Sequence, residues 1–205
     1  ANPLGSLTLL RSHRELLGLA SVNFLGQLAH AVLPSVTVLY MGYRYRWDER
    51  TVGLVMAGVG VCAMVVQGAL IGPVVRRFGE RTALIAGLLF GAAGFATYGI
   101  AATGVVFLIG VPLMALWGFA NPAALGLMSR RVGPYEQGQV QGANGSIAGV
   151  ANMIGPGLFT QVFAAGIAPE RSWQIPGAPF ALAALMLLAA MVIALQVAEE
   201  RANGE

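Results

Sequence analysis

The chain has 205 residues, 57% of them hydrophobic and only 10% charged, with a mean hydropathy of +0.71. A soluble domain carries roughly 25% charged residues, so this composition belongs in a bilayer, and a net charge of +3 is too small to point to nucleic acid. The single cysteine, Cys62, excludes an internal disulfide and sits in an apolar run as a small apolar residue would.

In chain order, residues 1–15 lack the basic-then-apolar pattern of a signal peptide. The run Asn2-Pro3-Leu4-Gly5-Ser6 reads as a cytoplasmic linker tail, and a larger parent or a separate partner chain is expected. No charged residue falls between Arg81 and Arg130, or between Glu136 and Glu170. A helix needs roughly 20 apolar residues to cross the hydrocarbon. The pattern predicts an all-α membrane fold with a six-helix bundle over 16–198 and a cytoplasmic tail at 199–205. The spans are placed at 16–40, 52–75, 82–102, 105–127, 138–165 and 179–198, with Thr103-Gly104 as a tight hairpin.

The turn from Gly72 to Arg81 separates two apolar runs and carries three arginines. Cytoplasmic loops hold the excess of basic residues, so this turn is set inside. The inner side then collects Arg11, Arg14, Arg76, Arg77, Arg81, Arg130, Arg131 and Arg201, against Arg44, Arg46, Arg50 and Arg171 outside. Both termini are expected in the cytoplasm. Trp47 and Trp173 fall at outer membrane ends, where indole rings anchor in the headgroup layer.

In the first span Asn23, Gln27, His30, Pro34 and Thr37 share one helical face. Polar groups at bilayer depth need partners or water, so this face points into the bundle or a cavity. His30 is the only titratable side chain in mid-span; it is either a functional group or a neutral imidazole bonded to a neighbouring helix. One face of the second span carries Gly53, Ala57, Gly60, Met64 and Gln67, and one face of the third carries Gly87, Gly91, Gly94 and Tyr98, so small residues recur along both. Such spacing allows close helix approach, and Gln67 can also line a cavity.

Pro112 and Asn121-Pro122 interrupt the fourth span. Trp117 and Asn121 lie one turn apart, and an aromatic plate beside an amide suits a large, partly apolar ligand as well as plain packing. The fifth span carries Gly138, Gly142, Gly145, Gly149, Asn152 and Pro156 on one face, a smooth track for another helix. Gln141 and Asn144 lie beside it, and Gly155-Pro156-Gly157 is predicted to kink or end the helix. The sixth span, apolar all round, reads as a lipid-facing brace.

These residues resemble the carboxy-terminal six-helix half of a major facilitator superfamily transporter, in the tetracycline-resistance efflux branch. The resemblance rests on Arg46-Trp47-Asp48 before Gly53, Gly72-Pro73 with Gly79-Glu80-Arg81 and Ala83-Leu84, Gln137-Gly138-Gln139 with Gln141-Gly142, and Gly155-Pro156 before Leu158-Phe159-Thr160. It implies two six-helix halves in a bacterial inner membrane, with substrate bound between them and access alternating by rocking. The lipid bilayer, an amino-terminal half (fused or separate) and a small-molecule substrate are the implied partners. In that scheme Gly72, Arg76, Arg77, Gly79, Glu80 and Arg81 form a cytoplasmic gating loop: Gly72 packs closely, and the arginines reach helix ends or acids. Arg76 stands where the stronger superfamily copy has an acid. Proton-coupled exporters of the branch carry a carboxylate in the third of these spans and a histidine in the second. The matching positions here are Gly91 and Ala63, neither of which can take a proton.

Two functions follow. One is half of a proton-coupled exporter of small amphipathic compounds, with Asn23, Gln27, His30, Gln67, Trp117, Asn121, Gln141 and Asn144 as cavity residues. The other is a non-transporting six-helix structural or assembly subunit of a larger membrane complex. No enzyme is expected, and no metal or cofactor: the sequence holds no nucleophile triad, no metal-spaced Cys/His set and no phosphate loop.

Overall fold

The computed structural model describes residues 14–170 and 174–202, with side chains described at 16–170 and 174–197. Most of the expected linker tail, with Arg11, Arg171 and Trp173, lies outside the described residues, as do the side chains of Arg14 and Arg201. The elements are α1 (Arg14–His30), α2 (Val32–Tyr45), α3 (Glu49–Val65), a π turn (Val66–Leu70), α4 (Ile71–Ile100), α5 (Gly104–Leu116), a 3-10 turn (Trp117–Phe119), α6 (Ala120–Ser129), α7 (Gln137–Gly166) and α8 (Ala178–Ala202).

The expectation of six separate helices is corrected. Five helical stretches among the described residues are long and apolar enough to cross a membrane, and one of them, Glu49–Ile100, joins two limbs at Gly79, where the backbone leaves helical geometry. That stretch folds back at Gly79, whose φ of 80° and ψ of 163° suit a residue without Cβ. Trp47 lies against Gly104 and Val66 against Gly118, while Met114 lies against Gly94 and Ala120 against Gly87. Residue numbers therefore rise together along the first limb and in opposition along the second, so the limbs are antiparallel and the chain makes six passes.

Each other boundary has a local cause. Asp48 caps α3 by accepting from the Thr51 N–H at 3.0 Å, and the Thr51 side chain together with that N–H holds its carboxyl below the usual range. Thr103 caps α5 through the Val106 N–H, as the hairpin at Thr103-Gly104 requires. Gly155-Pro156-Gly157 does not end its helix: α7 continues to Gly166, with Gly155 buried against Ala31 and Leu28. Contact with α1 on that side holds the segment helical despite the missing proline donor.

The core runs between the Glu80–Ile100 limb of α4, α1 and α8. The sixth span is thus more than a lipid-facing brace. Phe180, Ala183, Leu187 and Ala190 are fully buried, while Leu185 and Val192 stay exposed. Its all-apolar sequence hid the division, because lipid and core select the same residues. Trp47 also departs from its expected anchor role. It is half-buried, with its ring 5.0 Å from Tyr45 and edge-on to Phe107. This cluster closes the end of the bundle that the sequence assigns to the outside. Tyr98 and Phe107 stack at 4.1 Å, and the Tyr40 hydroxyl donates to the Tyr98 carbonyl at 3.0 Å.

Candidate functional site

Three helices lose regularity at one level, and each irregularity precedes a proline. Proline offers no N–H and crowds the carbonyl four residues before it. Pro34 does this to His30, where α1 ends and α2 starts; Pro73 to Ala69, inside the π turn, where the Ile71 N–H reaches back to the Val66 carbonyl; and Pro122 to Gly118, inside the 3-10 turn. Irregular backbone at membrane depth is tolerated where it lines a cavity.

A cavity of about 390 Å³ lies where these breaks meet. Asn23, Gln27, His30, Gln67, Trp117 and Asn121 all line it, six of the eight residues the sequence singled out. The remaining wall is small or apolar, including Gly26, Leu33, Ala63, Leu88, Met114 and Gly118. Sequence reasoning passed over these because apolar residues at such depth carry no signal of their own. Among the described residues, no Asp, Glu, Lys or Arg lines the cavity.

The other two residues are corrected. Asn144 is buried behind the wall, where its side-chain oxygen accepts from the Asn23 Nδ2 at 2.8 Å. It ties α7 to α1, and its own Nδ2 has no partner among the described residues. Gln141 is exposed and outside the cavity. In the first-span stripe, Pro34 is exposed and Thr37 is buried, both away from the cavity lining.

Trp117 owes its position to Gly91. A methyl group added at Gly91 would meet Trp117 Cγ and Leu187 Cδ1, each at 2.7 Å, so the indole occupies the place of a side chain there. Phe95 meets the indole at 5.4 Å in an edge contact, and the His30 ring lies 5.7 Å away, tilted by 43°. Ala63, at the position matching the family's histidine, forms part of the wall.

The gating loop lies outside the cavity. Gly72 is not closely packed: only the Arg76 guanidinium comes within 4 Å of a methyl group built there, at 3.9 Å. Arg76 and Arg81 are exposed, and Arg77 lies over the Phe78 ring at 5.6 Å. The loop's acid takes the partner instead, since Glu80 pairs with Arg130 at 3.0 Å. Gly126 leaves space for that carboxylate, because a methyl group there would meet Glu80 Oε1 at 2.6 Å.

Glycine faces of α3 and α7 stay open. Among the described residues, a methyl group at Gly53, Gly58 or Gly60, at Gly68 in the following π turn, or at Gly138, Gly145, Gly149 or Gly157 would meet nothing within 4 Å. α3 contains no fully buried residue.

Comparison with known proteins agrees with this geometry. A family model of the Major Facilitator Superfamily matches residues 19–205. The chain is 31% identical over 164 residues to the class C tetracycline resistance protein of Escherichia coli, covering 80% of this chain and 41% of that protein. It is 31% identical over 176 residues to the class G protein of Vibrio anguillarum, covering 85% and 45%. Hippocampus abundant transcript 1 protein of Mus musculus is 24% identical over 220 residues, covering 97% and 45%. The chain therefore spans less than half the length of these relatives. With six apolar passes, a polar cavity at their breaks and a family match over nearly its whole length, the chain belongs to the Major Facilitator Superfamily.

Proposed function

We propose that this chain is the carboxy-terminal half of a secondary active exporter of small amphipathic compounds in a bacterial inner membrane, with both termini cytoplasmic. The cavity is the observation that carries the reading: broken helices meeting around a polar site near mid-membrane are how secondary transporters hold substrate. Its amides and imidazole make a costly arrangement in lipid unless water or a ligand uses them. The open glycine faces of α3 and α7 fit a second six-helix half, since surfaces without side chains permit close and movable helix contact. The names of the bacterial relatives, tetracycline resistance proteins, favour drug-like cargo.

Coupling to protons, if this half supplies it, falls to His30, the only titratable side chain that lines the cavity among the described residues. Ala63 and Gly91 leave it no help from the family's usual positions. The Gly72–Arg81 turn acts as the cytoplasmic gate, with the Glu80–Arg130 pair as its clasp.

The test is drug accumulation in inside-out vesicles containing the complete transporter. His30→Ala and Asn121→Ala are expected to lower uptake while the protein inserts and assembles normally, and His30→Ala to remove the dependence on a proton gradient. Unchanged uptake together with defective assembly would instead favour the structural-subunit reading. That reading draws on Gly91 and Ala63, where coupling groups are missing.

A further inference from the structure

We infer that the wall this chain contributes is built for an uncharged, planar aromatic ring with hydrogen-bonding edges, seated against the Trp117 indole. This rests on the transporter reading above and names the substrate class for the same site. The indole is a packed plate: the missing side chain at Gly91 admits it, and the Phe95 and His30 rings lie against it. A packed aromatic surface favours a flat partner, because stacking then orders little that was free before. Around it Asn23, Gln27, Gln67 and Asn121 offer amide donors and acceptors, which can meet ring carbonyls, hydroxyls or N–H groups.

The charge that this wall favours follows from its own side chains. With no carboxylate on it among the described residues, a permanent cation seated here would leave water without a counter-charge from this wall. His30 brings either no charge or a positive one. Attraction of a cation to the face of one indole is weaker than that desolvation. A permanent anion meets no arginine or lysine among the described residues of this wall.

The experiment uses membrane vesicles holding the full chain in its native assembly, with Ala63→Cys on the cavity wall in a Cys62→Ala background. Labelling by a water-soluble maleimide is timed with two probes of one ring frame, neutral acridone and the permanent cation N-methylacridinium. Acridone is expected to slow labelling about tenfold, and N-methylacridinium to change it less than about twofold. Trp117→Leu should remove the protection while leaving the unprotected rate unchanged, and Trp117→Phe should keep part of it. The inference is overturned if the cation protects as well as acridone, if Trp117→Leu remains protected, or if acridone gives no protection at a cysteine that labels freely. A cysteine that the reagent never reaches overturns the water-accessible cavity itself, and both proposals with it.

Discussion

Along the Glu80–Ile100 limb of α4, a methyl group at Gly87 would meet the Ala120 backbone nitrogen at 2.7 Å, and one at Gly94 would meet Met114 Sδ at 2.7 Å; along α7, methyl groups at Gly145 and Gly149 would touch nothing within 4 Å. The two helices carry glycine at similar helical spacing. In lipid there is no hydrophobic drive between helices, so contact comes from close backbone packing. The α4 limb has spent its smooth face on α5 and α6. α7 leaves much of its own uncovered among the described residues, and α3 does the same. Glycine spacing marks a contact surface without naming its partner.

The contrast gives predictions of decreasing size. Gly87→Val should destabilise the bundle by about 3 kcal/mol, since a clash with backbone cannot be relieved by a rotamer change. Gly149→Val should leave thermal unfolding in detergent unchanged and weaken copurification of the second half. Equal losses of thermal stability in both would erase the distinction between the helices. Tyr40→Phe removes the hydroxyl that donates to the Tyr98 carbonyl and should cost about 1 kcal/mol, read by chemical denaturation in mixed micelles.

Glu80→Gln should cost no more than about 0.5 kcal/mol of stability, because Arg130 is largely exposed and solvent screens the pair. Its larger expected effect is on gating, seen as faster exchange of the amides at the Ser129 end of α6. The smallest change concerns Asp48. Its carboxyl is held below the usual range by the Thr51 side chain and then by the Thr51 N–H, so its capping contribution is present above the unfolded carboxyl pKa and fades as pH falls through the lower folded value. Asp48→Ala should speed hydrogen exchange at Thr51 near neutral pH and leave the rate at low pH unchanged.

Much of this was legible in the sequence. Charge-free runs, basic turns and prolines marked the six passes, and the polar positions of the first, second and fourth spans named six cavity residues. Periodicity assigns a residue to a face of its own helix but not to the helix opposite. This is why Asn144 fell behind the wall, bonded to Asn23, and Gln141 fell outside it. The Trp117 seat was invisible for a related reason: Gly91 read as a packing glycine, and only the fold brings the indole over it. The π turn at Gln67 had a visible cause in Pro73, yet proline alone does not say whether a helix widens, breaks or continues, as α7 does through Pro156.

The central claim is that the open face of α7 receives a second helical body. It can be measured by attaching a fluorophore at Gly149→Cys and, separately, at Leu185→Cys on the exposed side of α8, both in a Cys62→Ala background in native membranes. Nitroxide-bearing lipids then report contact with the acyl chains. The account predicts strong quenching at position 185 and shielding at position 149; equal quenching at both would mean that α7 faces lipid, contradicting it.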